Sequence, residues 1–253
     1  MVAAAETIAL GLQVADLPTS DFWSGSPLAG NAVAAVAIIS VLLLAVVAEA
    51  YARVVKERQG DRRLEELARS IARLVSRETT ASGDQIGVHI WQVRDPRLWL
   101  IPRWMPYRQK SEFLIRRAAF VPERREHEAI AFLPGYGVVG RCWLRRREIL
   151  ADLHSIAARA TDAPSFYRHL DYEERYRLTF AHVWNTRHFF SIWAYPLFKG
   201  PPGAFTFSGS VSVDIQCPGH LDDLRRMADN RSAELNSLLA DCASVLRAEA
   251  DIR

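Results

Sequence analysis

Between Phe22 and Ala48 the chain carries no Asp, Glu, Lys or Arg, and from Ala32 onward it is almost wholly Ala, Val, Ile and Leu. A helix rises about 1.5 Å per residue, so roughly 20 apolar residues cross the ~30 Å hydrocarbon core of a bilayer, and residues 28–50 have that length. They are predicted to form one transmembrane helix. A cleaved signal peptide would begin with basic residues and carry an apolar core of about 7 to 15 residues. Here the core is longer and no Lys or Arg precedes it. A buried core helix would show a polar face, yet only Asn31 and Ser40 interrupt the run.

After the span the pattern changes to a helical one. Residues 51–77 are rich in Arg, Glu, Leu and Ala, and Leu64, Leu67, Ile71 and Leu74 fall at steps of three, four and three, a heptad seam of barely two repeats. It can serve a coiled coil or pack on its own domain. Alternation then marks strands at 86–93 and 113–121, separated by a segment containing Pro96, Pro102 and Pro106. A Gly-rich turn leads into a short helix near 137–143, and 148–153 reads as a strand. Residues 164–185 are expected to be helical, with Asp171 as a cap and Tyr172, Tyr176, Phe180 and Trp184 at four-residue spacing. Strands follow at 189–198 and 205–215, and 221–250 is expected to be one long helix. In that helix Leu221, Leu224, Ala228, Leu235, Leu238, Cys242 and Val245 keep heptad spacing, with Arg231 off the pattern.

Charge sets the orientation of the span. Residues 1–52 hold no Lys or Arg, whereas Arg53, Lys56, Arg58, Arg62 and Arg63 crowd its far side. The positive-inside rule places the N-terminus outside a plasma (inner) membrane and the rest in the cytoplasm. The net charge of +3 hides an uneven split, because after residue 50 there are 32 basic against 25 acidic residues. A basic domain suits anionic headgroups nearby. Cys142, Cys217 and Cys242 lie far apart with no zinc-ligand spacing, so neither a disulfide framework nor a metal site is expected.

The turn Pro-Gly-Tyr-Gly-Val-Val-Gly-Arg-Cys-Trp at 134–143 contains Gly135, Gly137 and Gly140 in the dinucleotide spacing. That fingerprint needs a preceding parallel strand and an acid about 20 residues on, and Pro134 stops the segment before it. The same turn, followed by Glu-Ile-Leu-Ala-Asp at 148–152, resembles the signature of GAF domains. Ser-Ile-Trp-Ala-Tyr-Pro-Leu at 191–197 and Ser-Val-Ser-Val-Asp-Ile-Gln-Cys-Pro at 210–218 are similar to two of that family's strands. The resemblance spans residues 65–250. It implies an α+β fold, an antiparallel sheet flanked by helices, with a pocket between the sheet and a helical insert, and a binding or dimerising role rather than catalysis. The cyclic-nucleotide and bilin-attachment patterns of the family are absent, so no cofactor is implied.

On this reading residues 1–27 are a short outer tail, 28–50 the span, 51–80 a signalling helix and 81–253 the GAF-like domain. Tyr136, Arg141 and Trp143 of the turn-helix and His182, Trp184 and Arg187 of the insert are expected to border one pocket. A buried Arg needs an anionic partner, so a small anionic ligand is expected, unless Glu148, Asp152 or Glu174 fills that role. Catalysis is not expected. Cys142, His182 and Asp152 could form a nucleophilic set only on paper, and His182 or His188 could ligate haem only as a lone His. From Arg94 to Glu148 there are 13 basic against 6 acidic residues, read as a solvated face rather than a surface for the phosphates of a ligand or of lipid, and no nucleic acid is expected. The expected partners are the membrane, a second copy through the two heptad stripes, and a separate output protein.

Overall fold

A computed structural model describes residues 27–94, 112–121, 132–159, 162–185, 189–200 and 204–250, with side chains undescribed at 27–38, 185 and 249–250. The chain divides into two compact units, Met1–Arg58 and Gln59–Arg253. Helix α1 runs Pro27–Glu78 without a break, so Gly60 is tolerated inside it at a helix-propensity cost of about 1 kcal/mol.

Within the first unit, Leu42, Leu43, Val46 and Val47 are each exposed. These consecutive and near-consecutive positions leave no polar stripe on the helix. Among the described residues no helix is long and apolar enough to cross a membrane. The side chains of 28–38, the first part of the predicted span, lie outside the described residues, as do residues 1–26.

The second unit is built on a five-stranded antiparallel sheet of order β2-β1-β5-β4-β3. Its strands are β1 (Ile86–Arg94), β2 (Phe113–Phe120), β3 (Ile149–Asp152), β4 (Ser191–Lys199) and β5 (Thr206–Ile215). This is the flanked antiparallel sheet that the sequence implies. Because strand side chains alternate, the register decides which residues share a face. Ile86, Val88 and Ile90 of β1 stand beside Ile215, Val213 and Val211 of β5, and Trp193 of β4 completes that face. The C-terminal turns of α1, helix α6 (Leu221–Asp229) and helix α7 (Ala233–Ala250) cover it, forming one core with Leu64, Ile71, Leu224, Leu235 and Leu246. Each such fully buried side chain stabilises by roughly 1.5–3 kcal/mol.

Two expectations are corrected here. The predicted helix over 221–250 is two helices. Asn230–Ser232 interrupt it, the Ser232 hydroxyl caps α7 by accepting from Leu235 N at 3.2 Å, and Arg231 turns aside to bond Glu148. The predicted helix over 164–185 is also broken. It comprises α4 (Ala163–His169), a run of turns, and α5 (Phe180–Asn185), and is preceded by a further helix, α3 (Leu153–Arg159). Asp171 does cap, its carboxylate accepting from Glu174 N at 2.6 Å. However, Tyr176 and Arg177 adopt left-handed backbone at φ 53° and 59°, which no helix continues through.

Candidate functional site

The opposite face of the sheet has a different character. Its β1 positions are Gly87, His89 and Trp91, and their β5 partners are Asp214, Ser212 and Ser210. All three β5 side chains are buried, as is His89. Ala194 of β4 and Ala151 of β3 continue this face with small side chains. His89 Nε2 lies 2.9 Å from Asp214 Oδ1, and Trp91 donates its indole N–H to Ser212 Oγ at 2.9 Å. Asp214 Oδ2 and Ser210 Oγ are buried with no hydrogen-bond partner among the described residues. Gly87 gives its space to the Asp214 carboxylate, which a Cβ there would displace.

Helix α2 (Gly137–Arg145) packs over this face and separates two clusters. Val138 and Cys142 join Ala151, Ala194 and Phe166. Val139 joins Trp91, Leu114 and Phe207. The Gly-rich turn that starts α2 has structural work for its glycines. Gly135 and Gly137 have φ of 85° and 65°, and a Cβ on Gly140 would strike the Leu133 carbonyl. Three of the turn's amides are engaged: Gly135 N donates to Gly140 O, Tyr136 N to Leu133 O and Gly137 N to Tyr176 O of the insert. A phosphate-cradling loop needs its amides free, and these three are not.

The predicted site residues are dispersed. Tyr136 and Arg141 meet the insert: the Tyr172 hydroxyl lies 3.4 Å from that of Tyr136, and Arg141 stacks 4.9 Å from the Tyr176 ring centroid. Arg141 also bonds the Glu173 carboxylate at 2.6 Å and the Glu173 carbonyl at 3.1 Å. The acid that answers it is therefore Glu173, not Glu148, Asp152 or Glu174. Glu173 also accepts from Arg177, and this hydrogen bond, with that from Arg141, holds its carboxyl below the usual range. Trp143 lies in the other cluster, stacked 5.7 Å from Phe207. On α5, His182 and Trp184 are exposed, His182 Nδ1 lying 2.8 Å from Thr179 Oγ1 and the Trp184 ring 5.6 Å from Phe180. Arg187 and His188 lie outside the described residues.

Burial, with Glu148 adding to it, pushes the Cys142 thiol far above its ordinary range. A thiol so held is a poor nucleophile, and Asp152 is occupied in capping Ser155. Among the described residues no cluster of His, Cys, Asp and Glu could hold a metal ion. On the helical side of the sheet a groove of about 600 Å³ is lined by Arg69, Arg73, Arg77, Phe120 and Glu234. It lies apart from the polar cluster.

Sequence reasoning passed over His89, Ser210, Ser212 and Asp214. The signal was present: polar residues alternate with Val and Ile in both β1 and β5. Once those strands pair, the polar positions must share a face.

No family model matches the chain, and no curated protein does. Three of the solved structures similar in fold are the following. A nitrate-binding-site mutant of NreA from Staphylococcus aureus has 13% identity and a TM-score of 0.38, with 62% of this chain and 86% of that one covered. A type II free methionine-R-sulfoxide reductase from Thermoplasma acidophilum has 11% identity and a TM-score of 0.39, with 76% and 96% covered. The GAF domain of nlh2 from A. aeolicus in an inactive state has 10% identity and a TM-score of 0.37, with 78% and 98% covered. Likenesses this loose say nothing of what this chain binds.

Proposed function

We propose that the chain is a membrane-anchored regulatory module of GAF type that binds a small molecule between the sheet and the α2–insert layer and passes the signal to a partner protein. One observation carries the binding role. One sheet face is closed by Ile, Val, Leu and Trp side chains, whereas the other buries His89, Ser210, Ser212 and Asp214. Burying polar groups in a core costs stability unless they are satisfied. Ser210 Oγ and Asp214 Oδ2 have no hydrogen-bond partner among the described residues, and a ligand that satisfies them gives that arrangement a use. The GAF resemblance of the turn and strand motifs, which implies a pocket between the sheet and the insert, supports this reading.

The test is native mass spectrometry of the full chain, purified in detergent, followed by denaturation and analysis of what is released. A small molecule retained natively and lost on denaturation is the expected result.

A second reading has its own observation. The pairing of Arg141 and Arg177 with Glu173 answers the cations of the turn-helix and insert from within the chain, as in a module that binds a protein rather than a metabolite. A preparation that releases nothing favours it.

A further inference from the structure

The sequence points to an anionic ligand, but the buried polar face asks for the opposite charge. Asp214 is 2% exposed. His89 Nε2 occupies Oδ1, and Oδ2 has no hydrogen-bond partner among the described residues. A carboxylate oxygen accepts hydrogen bonds and cannot donate while ionised, so whatever completes Asp214 must bring an N–H or O–H. A second anion beside it would meet repulsion in a low-dielectric setting.

The side chains beside Asp214 on this face are mostly small. Around it stand Gly87, Ser212, Ile192 and, one pair along, Ala194. The opposite face carries Ile86, Val88 and Trp193 at the corresponding depth. At Gly87 the close approach is that of the Asp214 carboxylate itself, while Ser212 and Ala194 add little bulk beside it.

Several donors that an anion could use are engaged elsewhere. Arg141 is held by Glu173, and the amides of Gly135, Tyr136 and Gly137 donate to Gly140 O, Leu133 O and Tyr176 O. Arg175 has no hydrogen bond at Nε and Nη1 among the described residues, but its guanidinium is covered by the rings of Phe166, Tyr167 and Tyr172 at 4.7–5.5 Å. Cation–π contact offsets its charge there.

We infer that the sheet-face site takes a small ligand bearing a protonated nitrogen, an ammonium, amidinium or guanidinium, which donates to Asp214 Oδ2. This rests on the ligand-binding reading above and narrows it. A charge-assisted hydrogen bond of this kind is about twice as strong as a neutral one, which makes Asp214 the anchor of the complex.

The test is thermal stabilisation and titration calorimetry of the full chain with four matched probes: benzylammonium, benzamidinium, benzyl alcohol and benzoate. The cations should stabilise the protein, and benzyl alcohol and benzoate should not. Asp214→Asn should weaken cation binding by about tenfold or more. If that variant does not fold, Gly87→Ala, whose Cβ displaces the same carboxylate, should weaken it similarly.

Stabilisation by benzoate that is lost on Arg141→Ala would overturn the cationic assignment and leave the ligand-binding reading standing. Equal binding of cations by wild type and the Asp214 or Gly87 variant would also overturn it. If no probe binds, the small molecule released on denaturation decides: one with a basic nitrogen supports the assignment, and one without overturns it. Should nothing bind and nothing be released, a buried water completes Asp214 and both readings fail.

Discussion

The carboxylate of Asp223, in the first turn of α6, accepts from the Thr80 hydroxyl at 2.6 Å and the Thr80 amide at 3.3 Å. His220 Nδ1 lies 3.1 Å away and Arg226 pairs with it as well. These hydrogen bonds, led by that of Thr80, pull its pKa from 3.8 to about 2 against the opposing effect of burial. A folded-state pKa below the unfolded one stabilises at pH above the unfolded value and loses that contribution as pH falls through the folded one. Asp223→Asn should therefore cost about 1–2 kcal/mol at pH 7. The deficit should shrink as pH falls from about 4 towards 2. Urea unfolding of both proteins at pH 7, 4 and 2.5 measures this, and a deficit independent of pH would show that packing, not charge, is lost. This clasp between the end of α1 and α6 was not legible in the sequence, since Thr80 and Asp223 are 143 residues apart. The pairing of Asp214 with His89 was partly legible, because strand alternation announces a shared face without saying which residues meet on it.

At the scale of elements, the five strands followed from alternation and β-branched composition, since each has one face closed by helices. The insert did not, because its path depends on left-handed Tyr176 and Arg177, and neither residue type announces that conformation as glycine would. The heptad stripes were legible as apolar faces but not in their destination. Leu64, Ile71, Leu74, Leu224, Leu235 and Cys242 are all buried against the sheet or each other within the chain, so they no longer require a second copy. In α7 the buried side chains are Leu235, Leu239, Cys242, Val245 and Leu246, while Leu238 is only partly buried. The fate of a charge tests this. Leu235→Glu places a carboxylate at a fully buried position and should destabilise by about 3 kcal/mol or more, with loss of the cooperative fold. Leu238→Glu should cost clearly less. Circular dichroism with urea titration separates the two, and a folded Leu235→Glu protein changed only in sedimentation would return the stripe to a dimer interface.

At the scale of the whole molecule, the proposed anchoring rests on the first unit considered by itself. A helix apolar all round has no stable aqueous surface and needs lipid or another protein. From Ile39 to Val47 the described side chains are Ile, Ser, Val, Leu and Ala, and the large ones are exposed. Glu49 and Arg53 pair one turn further on, where chemistry suited to an interface begins. Of the two environments, lipid agrees better with the charge distribution. No Lys or Arg occurs before residue 53, and five follow between Arg53 and Arg63, the asymmetry that retains a segment on the cytoplasmic side. The full chain should therefore remain with membranes after alkaline carbonate extraction. A reporter fused after Arg253 should be active only when it is of the kind that works in the cytosol. Replacing Leu42 and Leu43 with Arg should release the protein from the pellet, since each charge near the centre of a span costs about 2.5–3.5 kcal/mol on insertion. Carbonate release of the wild type would assign the apolar helix to a protein partner instead. Activity of a periplasmic-type reporter at the same fusion point would keep the anchor and reverse its orientation, placing the His89–Asp214 face on the outer side of the membrane.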